Sequence, residues 1–200
     1  MSLVTYLLEQ TPVYSLWQAP FAARKFAPIA RHTDLRRVRR VLDVGCGPGT
    51  NTALFAHSDY LGIDINPEYV ESARRKHKRQ FVVADVAKYD DRAAGKFDFI
   101  LVNSFLHHVD DSTASAILSN LSKLLTDDGH VHILDLVLPE SASIARILAH
   151  SDRGDFPRTL QKWREIFCAS FDQENFEPYD LGACGLTLWK MLYFKGKTRH

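Results

Sequence analysis

Two rhythms of apolar residues alternate along most of this chain. From Arg40 onward, the short runs VRRVLDV, YLGIDI, QFVVADV, FDFILVNS and HVHILDLVL are interleaved with TNTALFAH, PEYVESARRKHKR and TASAILSNLSKLL, whose apolar positions recur every three or four residues. Compact runs rich in β-branched and aromatic residues predict strands buried on both faces, and the longer period predicts helices. In the last helical stretch Ile117, Leu118, Leu121, Leu124 and Leu125 fall on one face, and Asp127, Asp128 and Gly129 stand ready to stop it before the next strand. Pro67 suits the first turn of the second helix. Strand alternating with helix predicts crossover units, hence an α/β fold with a parallel sheet and helices on both faces.

Both ends depart from this rhythm. Leu3, Leu7 and Leu8, then Trp17, Phe21, Phe26 and Ile29, predict short amphipathic helices broken at Pro12 and Pro20. Residues 1–39 are therefore expected to form a helical preamble, or lid, to a domain over 40–200, the whole being one structural domain. Towards the other end, ESASIARILAH and FPRTLQKWREIFCASF read as helices, and FEPYDLG and GLTLWKMLYFKGK as two strands. Strands so closely linked pair antiparallel, because a parallel crossover needs a dozen or more residues.

Composition narrows the class. Two hundred residues of 22.7 kDa, 46% hydrophobic, are enough for one substantial core. Twenty-five basic against twenty-four acidic side chains leave a net charge of +1, which gives no global field to draw in nucleic acid or an anionic membrane. Cys46, Cys168 and Cys184 are widely spaced and read as free thiols of a reducing compartment. The N-terminus lacks a basic secretory region, and no apolar run approaches the roughly 18 residues of a membrane span, so a cytoplasmic protein is expected.

The strongest local signal is VLDVGCGPGT. Val41, Leu42 and Val44 make a buried strand, and Gly45, Gly47 and Gly49 form a turn that a ligand can approach without meeting a Cβ. The spacing is GxGxG, with Thr50 where a dinucleotide fingerprint has its last glycine and Pro48 in place of one phosphate-binding N–H. That favours a ligand without phosphates. Asp43 lies inside an apolar strand and needs a hydrogen-bonding or cationic partner, which an ammonium group near the turn would supply directly or through water. Asp64, with Ile65 beside it, follows Gly45 by nineteen residues, where an open α/β sheet places the carboxylate that binds ribose hydroxyls; it can alternatively serve as a helix cap before Pro67. Asp85, followed by Val86, is a third carboxylate at the same edge, with loop capping as its other reading.

In that order and spacing, VLDVGCGPG, Asp64, Asp85, FDFILVNSFLHHV and LLTDDGHVHILD resemble the class I S-adenosylmethionine-dependent methyltransferases, in particular their small-molecule branch, over about residues 38–138. The resemblance implies a Rossmann-like sheet of seven strands, mostly parallel with the last strand antiparallel, and a cofactor lying across the C-terminal edge of the first strands. It also implies S-adenosylmethionine as cofactor and S-adenosylhomocysteine as product. Asp43 would lie near the methionine amine, Gly45, Cys46, Gly47 and Gly49 would line the cofactor, and Asp64 with Ile65 would take the ribose. Asp85 and Val86 would meet the adenine, and Asn103 the methionine moiety. Family members acting on exocyclic amines of bases carry a D/N-P-P-Y/F stretch after the fourth strand; here Asn103, Ser104, Phe105 and Leu106 stand there, which argues against base methylation.

Methyl transfer from a sulfonium is an in-line displacement, so alignment in a dry pocket supplies much of the catalysis and no metal is required. A hydroxyl acceptor benefits from a base, and His107 and His108 after the fourth strand are the candidates; their other reading is local packing. Tyr14, Trp17, Phe21 and Phe26 could enclose an apolar acceptor, and Tyr14, Trp17 and His107 are the candidate substrate contacts. The connection from Leu136 to Pro157 should also overhang the site. The arginines at 36, 37, 39 and 40 and the basic cluster at 74–79 read as solvated faces, which argues against nucleic acid. A small-molecule methyltransferase, with O or C as acceptor ahead of N, is the reading that results. A nicotinamide-dependent oxidoreductase on the same sheet edge and an RNA or protein methyltransferase are its rivals, and the oligomeric state stays open.

Overall fold

The computed structural model describes residues 11–90, 95–141, 143–151, 155–183 and 186–199. Leading the described part, α1 (Thr11–His32) runs unbroken for 22 residues through Pro12, Pro20 and Pro28, so the expected break at Pro20 does not occur. A proline inside a helix removes one hydrogen bond to the residue four back. That loss is tolerated here because α1 is held from outside. Its C-terminal half buries Ile29, and the Tyr179 hydroxyl donates to the Lys25 carbonyl at 2.9 Å. Farther along, Arg31 and His32 both pair with Glu177.

The sheet comprises β1 (Arg40–Val44), β2 (Asp59–Asp64), β3 (Gln80–Val83), β4 (Phe97–Asn103), β5 (Leu125–Leu136), β6 (Phe171–Ala183) and β7 (Leu186–Thr198). Its order is β3-β2-β1-β4-β5-β7-β6, with β7 antiparallel to both neighbours and the other described pairings parallel. This matches the mixed seven-stranded sheet expected from the sequence. The predicted helix after the glycine turn is reduced to a 3-10 turn, Thr52–Phe55, since only a few residues separate that turn from β2. At the other boundary, Asp127–Gly129 do not separate helix from strand: β5 already begins at Leu125 and absorbs them in a register shift opposite β4.

Alternation along the strands divides the core. On one face Leu42, Val44, Ile100, Val102, Val131, Ile133 and Phe194 pack beneath α3 (Asp111–Leu124) and α5 (Leu160–Ser170), the latter burying Trp163 and Phe167. The other face carries Val41, Tyr60, Phe81, Phe99, Leu101, Leu134 and Tyr193 under α2 (Pro67–Lys76) and α1. Here the rings of Phe99 and His132 stack at 4.0 Å, His132 and Tyr193 at 6.0 Å, and Tyr193 and His32 at 5.8 Å. Burial pushes the His132 pKa well down, so it packs as a neutral ring whose Nδ1 meets the Tyr193 hydroxyl at 2.9 Å. The remaining helix, α4 (Ile144–Ser151), buries Ala149 with Leu136, Leu181 and Met191.

Helix starts carry side-chain caps, and ahead of Pro67 the cap is Asn66 rather than Asp64. Asn66 accepts from the Glu68 N–H ahead of Pro67, Asp110 from the Thr113 N–H, and Thr159 from the Lys162 N–H. Because β1, β2 and β4 run in parallel, their C-terminal ends bring Asp43, the glycine turn, Asp64 and Asn103 to one edge.

Candidate active site

At that edge the glycines of the turn do different work. Gly45 has φ +65°, and a Cβ there would stand 2.9 Å from the Phe105 ring. Gly47 has φ +53° and no described residue within 4 Å of where its Cβ would lie, so among the described residues it forms the open side of the turn. Gly49 is buried against His77 and Phe81 and seats the turn on the end of α2. The thiol of buried Cys46 is pushed up by burial and by the nearby carboxylates, which makes it an inert small side chain.

Asp64 is tied to the turn: its Oδ2 accepts from the Gly47 N–H at 2.8 Å, and its Oδ1 from the Asn66 N–H at 2.8 Å. Beside it Ile65 is 68% exposed and Val83 at the end of β3 is 44% exposed, an apolar shelf at the open end of the edge. Asp85 accepts from the Ala87 N–H at 3.0 Å and lies 3.6 Å from the Lys88 ammonium. Val86 is buried, and Asn120 of α3 donates to its carbonyl at 2.9 Å.

Asp43 is fully buried and takes its hydrogen bonds from protein. The Tyr60 hydroxyl donates to Oδ2 at 2.6 Å, and the Asn51 amide lies 3.3 and 3.2 Å from the two oxygens. Burial, opposed by these donors and reinforced by Asp64, pushes its pKa up to about 7. The Asn51 carbonyl in turn accepts from the Asn103 amide at 3.3 Å, while Asn103 Oδ1 is buried with no hydrogen-bond partner among the described residues. An orphaned acceptor of this kind is costly to bury. The paired carboxylate oxygens of Asp64, the exposed Ile65 and Val83, the open Gly47 and the orphaned Asn103 acceptor fit a ligand with a sugar diol, a flat ring and an ammonium group.

On the far side of Asn103 the chain takes a strained turn. Ser104 has φ 50°, an uncommon conformation for a residue with a Cβ; its N–H donates to the Leu134 carbonyl at 2.7 Å and its Oγ accepts from Lys25 Nζ at 2.7 Å. The 3-10 turn Leu106–His108 follows. The two candidate histidines part here: His108 is exposed, and His107 is buried with Nδ1 2.5 Å from Oδ1 of Asp135, their neighbouring rings 4.1 Å apart. Asp135 also accepts from the N–H groups of Leu106 at 2.9 Å and Leu136 at 2.7 Å. Burial pushes the Asp135 carboxyl up, but His107 and the two N–H groups hold it below its usual value, so it is ionised. An ionised carboxylate only accepts, which places the Nδ1 proton of His107 towards Asp135.

Buried Arg158 holds this turn: Nη1 donates to the Leu106 carbonyl at 2.9 Å, Nη2 to that of Val109 at 2.6 Å, and Nε to Asp111 at 2.7 Å. The side chains of Tyr14 and Trp17 lie outside the described residues, so these two expectations remain sequence readings. Phe21 meets Trp189 of β7 edge to face at 5.5 Å. The arginines before β1 pair locally, Arg36 with Asp34 at 2.9 Å and Arg40 with Asp59 at 3.1 Å, and Arg79 donates to the Ser58 carbonyl at 2.9 Å. Sequence reasoning did not single out Asp135, Asn51, Tyr60 or Arg158. Asp135 had a visible signal, a carboxylate inside the apolar run HILDLVL just as Asp43 lies in VLDV.

An open sheet of this order, with a glycine turn after β1 and an acidic residue ending β2, defines the class of Rossmann-like proteins that bind an adenosyl group at the strand ends. Within that class, a family described as a methyltransferase domain matches residues 41–129. The chain is 32% identical over 192 residues to trans-aconitate 2-methyltransferase of Enterobacter sp., a match covering 88% of this chain and 69% of that one. It is also 32% identical over 123 residues to trans-aconitate 2-methyltransferase of Methylobacterium radiotolerans, covering 59% and 45%. Among solved structures, the N-methyltransferase NodS of Bradyrhizobium japonicum in complex with S-adenosyl-L-homocysteine shares the fold with a TM-score of 0.65 at 18% identity, covering 86% and 87%. The chain belongs to the class I S-adenosylmethionine-dependent methyltransferase family. It spans about half the length of several relatives it matches.

Proposed function

We propose that this protein transfers a methyl group from S-adenosylmethionine to an oxygen, or to an activated carbon, of a small-molecule acceptor. The observation that carries the acceptor side is the His107–Asp135 pair, 2.5 Å apart at the end of β4. When bound, the cofactor supplies an electrophilic methyl on a sulfonium, which takes the electron pair of the breaking carbon–sulfur bond. Nε2 of His107 accepts the acceptor's proton, and the imidazolium so formed is stabilised by ionised Asp135 through Nδ1. Asp64 and Ile65 hold the ribose, Asp85 and Val86 the adenine, and the glycine turn the thioether chain. Asn103 meets the methionine ammonium. α1 serves as the lid, its Lys25 tied to Ser104 beside the acceptor.

The relatives named for trans-aconitate support a small-molecule acceptor and the S-adenosylhomocysteine complex of the structural neighbour supports the cofactor; the base rests on the His107–Asp135 pair alone. The neighbour named as an N-methyltransferase shares only the fold, so the acceptor atom rests on the histidine. The test has two stages. Calorimetry with S-adenosylhomocysteine is expected to give micromolar binding that Asp64→Ala abolishes. Transfer of a radiolabelled methyl group is then measured across small hydroxylated, carbon-acid and carboxylated acceptors, trans-aconitate included. Absence of S-adenosylhomocysteine binding would overturn the cofactor, and turnover of hydroxyl and carbon acceptors undiminished in His107→Ala would overturn the base.

A further inference from the structure

Between Asp43 and Asn103 the structure holds a directional chain of hydrogen bonds. Asp43, when ionised, only accepts, so Asn51 must turn its NH2 towards it, as the distances of 3.3 and 3.2 Å to the two carboxylate oxygens record. That turns the Asn51 carbonyl outward, where Asn103 can meet it only with its own NH2, at 3.3 Å. The amide of Asn103 is thereby left with its carbonyl facing away from these bonds, and this is the buried acceptor without a partner among the described residues. Tyr60, donating to Oδ2 of Asp43 at 2.6 Å, occupies the other end. Both Asp43 and Asn51 are buried, at 0% and 6% exposure, so the orientation is set where solvent cannot scramble it.

We infer that Asn51 is a positioning residue that orients the Asn103 amide, presenting its carbonyl to the cofactor's ammonium group. This deepens the methyltransferase reading and rests on it. When Asp43 is ionised, its negative charge is felt at the ammonium through two neutral amides, and the site then selects the amino-acid end of the cofactor by amide direction as well as by charge. A leucine at position 51 has similar volume but neither donates nor accepts, so Asn103 would be free to turn its NH2 towards the ammonium.

The experiment is calorimetric titration of the full chain with two probes, S-adenosylhomocysteine and its desamino analogue, which lacks only the ammonium. In Asn51→Leu the affinity for S-adenosylhomocysteine is expected to fall at least about tenfold, the scale of a hydrogen bond to a charged group, with the desamino affinity changed less than about threefold. The double variant Asn51→Leu, Asn103→Asp is expected to regain the preference, since a carboxylate at 103 offers an acceptor whichever way it turns. Should Asn51→Leu fail to fold, Asn51→Ala, with room for a water beside Asp43, replaces it in both comparisons. Equal losses for the two probes, or no loss for either, would overturn the positioning role while leaving the cofactor reading intact. A wild-type protein that binds neither probe would overturn that reading and the inference together.

Discussion

Arg158 and Leu106 meet across 52 residues of chain, the guanidinium donating to the carbonyl at 2.9 Å inside the core. A second nitrogen holds Val109 at 2.6 Å, so one side chain satisfies two carbonyls of the turn that carries His107. The guanidinium also lies 4.7 Å above the Trp163 ring. Arg158→Met keeps much of the volume and removes the donors, leaving two acceptors short of partners at about 1–3 kcal/mol each. The expected outcome is a loss of about 3 kcal/mol in urea unfolding and, since His107 is carried on this turn, a lower kcat at unchanged S-adenosylhomocysteine affinity.

Acceptor chemistry can be read from His107. A carboxylate acceptor is already deprotonated and needs no base, whereas a hydroxyl or carbon acid does. His107→Ala is expected to lower kcat about 10² to 10⁴-fold on hydroxyl and carbon acceptors, the usual range for a general base, and far less on carboxylates. Asp135→Asn should follow the same split, because it removes the charge that favours the imidazolium. Equal effects across acceptor classes in the methyl-transfer assay would mean that the histidine only shapes the pocket.

Asp43 gives stability a pH slope of unusual sign. Its pKa is about 7 in the folded protein, above the ordinary carboxyl value, so between about pH 4 and 7 the folded state holds a proton that the unfolded chain has released. This group's contribution to stability therefore falls as pH rises through that window and levels off above it, by an amount on the order of 4 kcal/mol. Asp43→Asn is expected to remove that part of the slope when urea unfolding is compared at pH 5, 6, 7 and 8. Identical slopes in the two proteins would refute the raised pKa.

The turn glycines should fail in different ways. In Gly45→Ala the new Cβ would lie 2.9 Å from Phe105 at φ +65°, so the cost is expected in stability, about 2 kcal/mol, read by thermal unfolding. In Gly47→Ala the Cβ enters open space and the backbone cost at φ +53° is about 1 kcal/mol. There the larger loss is expected in S-adenosylhomocysteine affinity, measured by calorimetry.

The sheet was legible because its signals are local. Buried runs such as VLDV and FILV, glycine at the first turn and a hairpin too short for a crossover mark the strands and the antiparallel end, while the order β3-β2-β1-β4-β5-β7-β6 is a tertiary fact that no local run carries. The helix was misjudged where a local rule met a tertiary one: Pro20 and Pro28 weaken α1, yet its seat on β6 and β7 keeps it continuous. The site divides in the same way. Asp43 and Asp64 announce themselves by standing in or at the end of apolar strands, but Asn51 and Arg158 act through partners 52 residues away, a distance no spacing rule spans. Of the two histidines in LHHV, sequence spacing alone gives no preference; what separates them is Asp135 on the next strand, which pairs with His107.

The seat of α1 has a wider consequence. Arg24 donates to the Gly182 carbonyl at 2.8 Å, Tyr179 to the Lys25 carbonyl at 2.9 Å, and Lys25 itself reaches Ser104. The β6–β7 hairpin, the helix and the end of β4 thus form one mechanical linkage, with Lys25 as its pivot. Sequence variation in a hairpin remote from the glycine turn can in this way shift the helix and the end of β4 together, without altering the glycine turn itself.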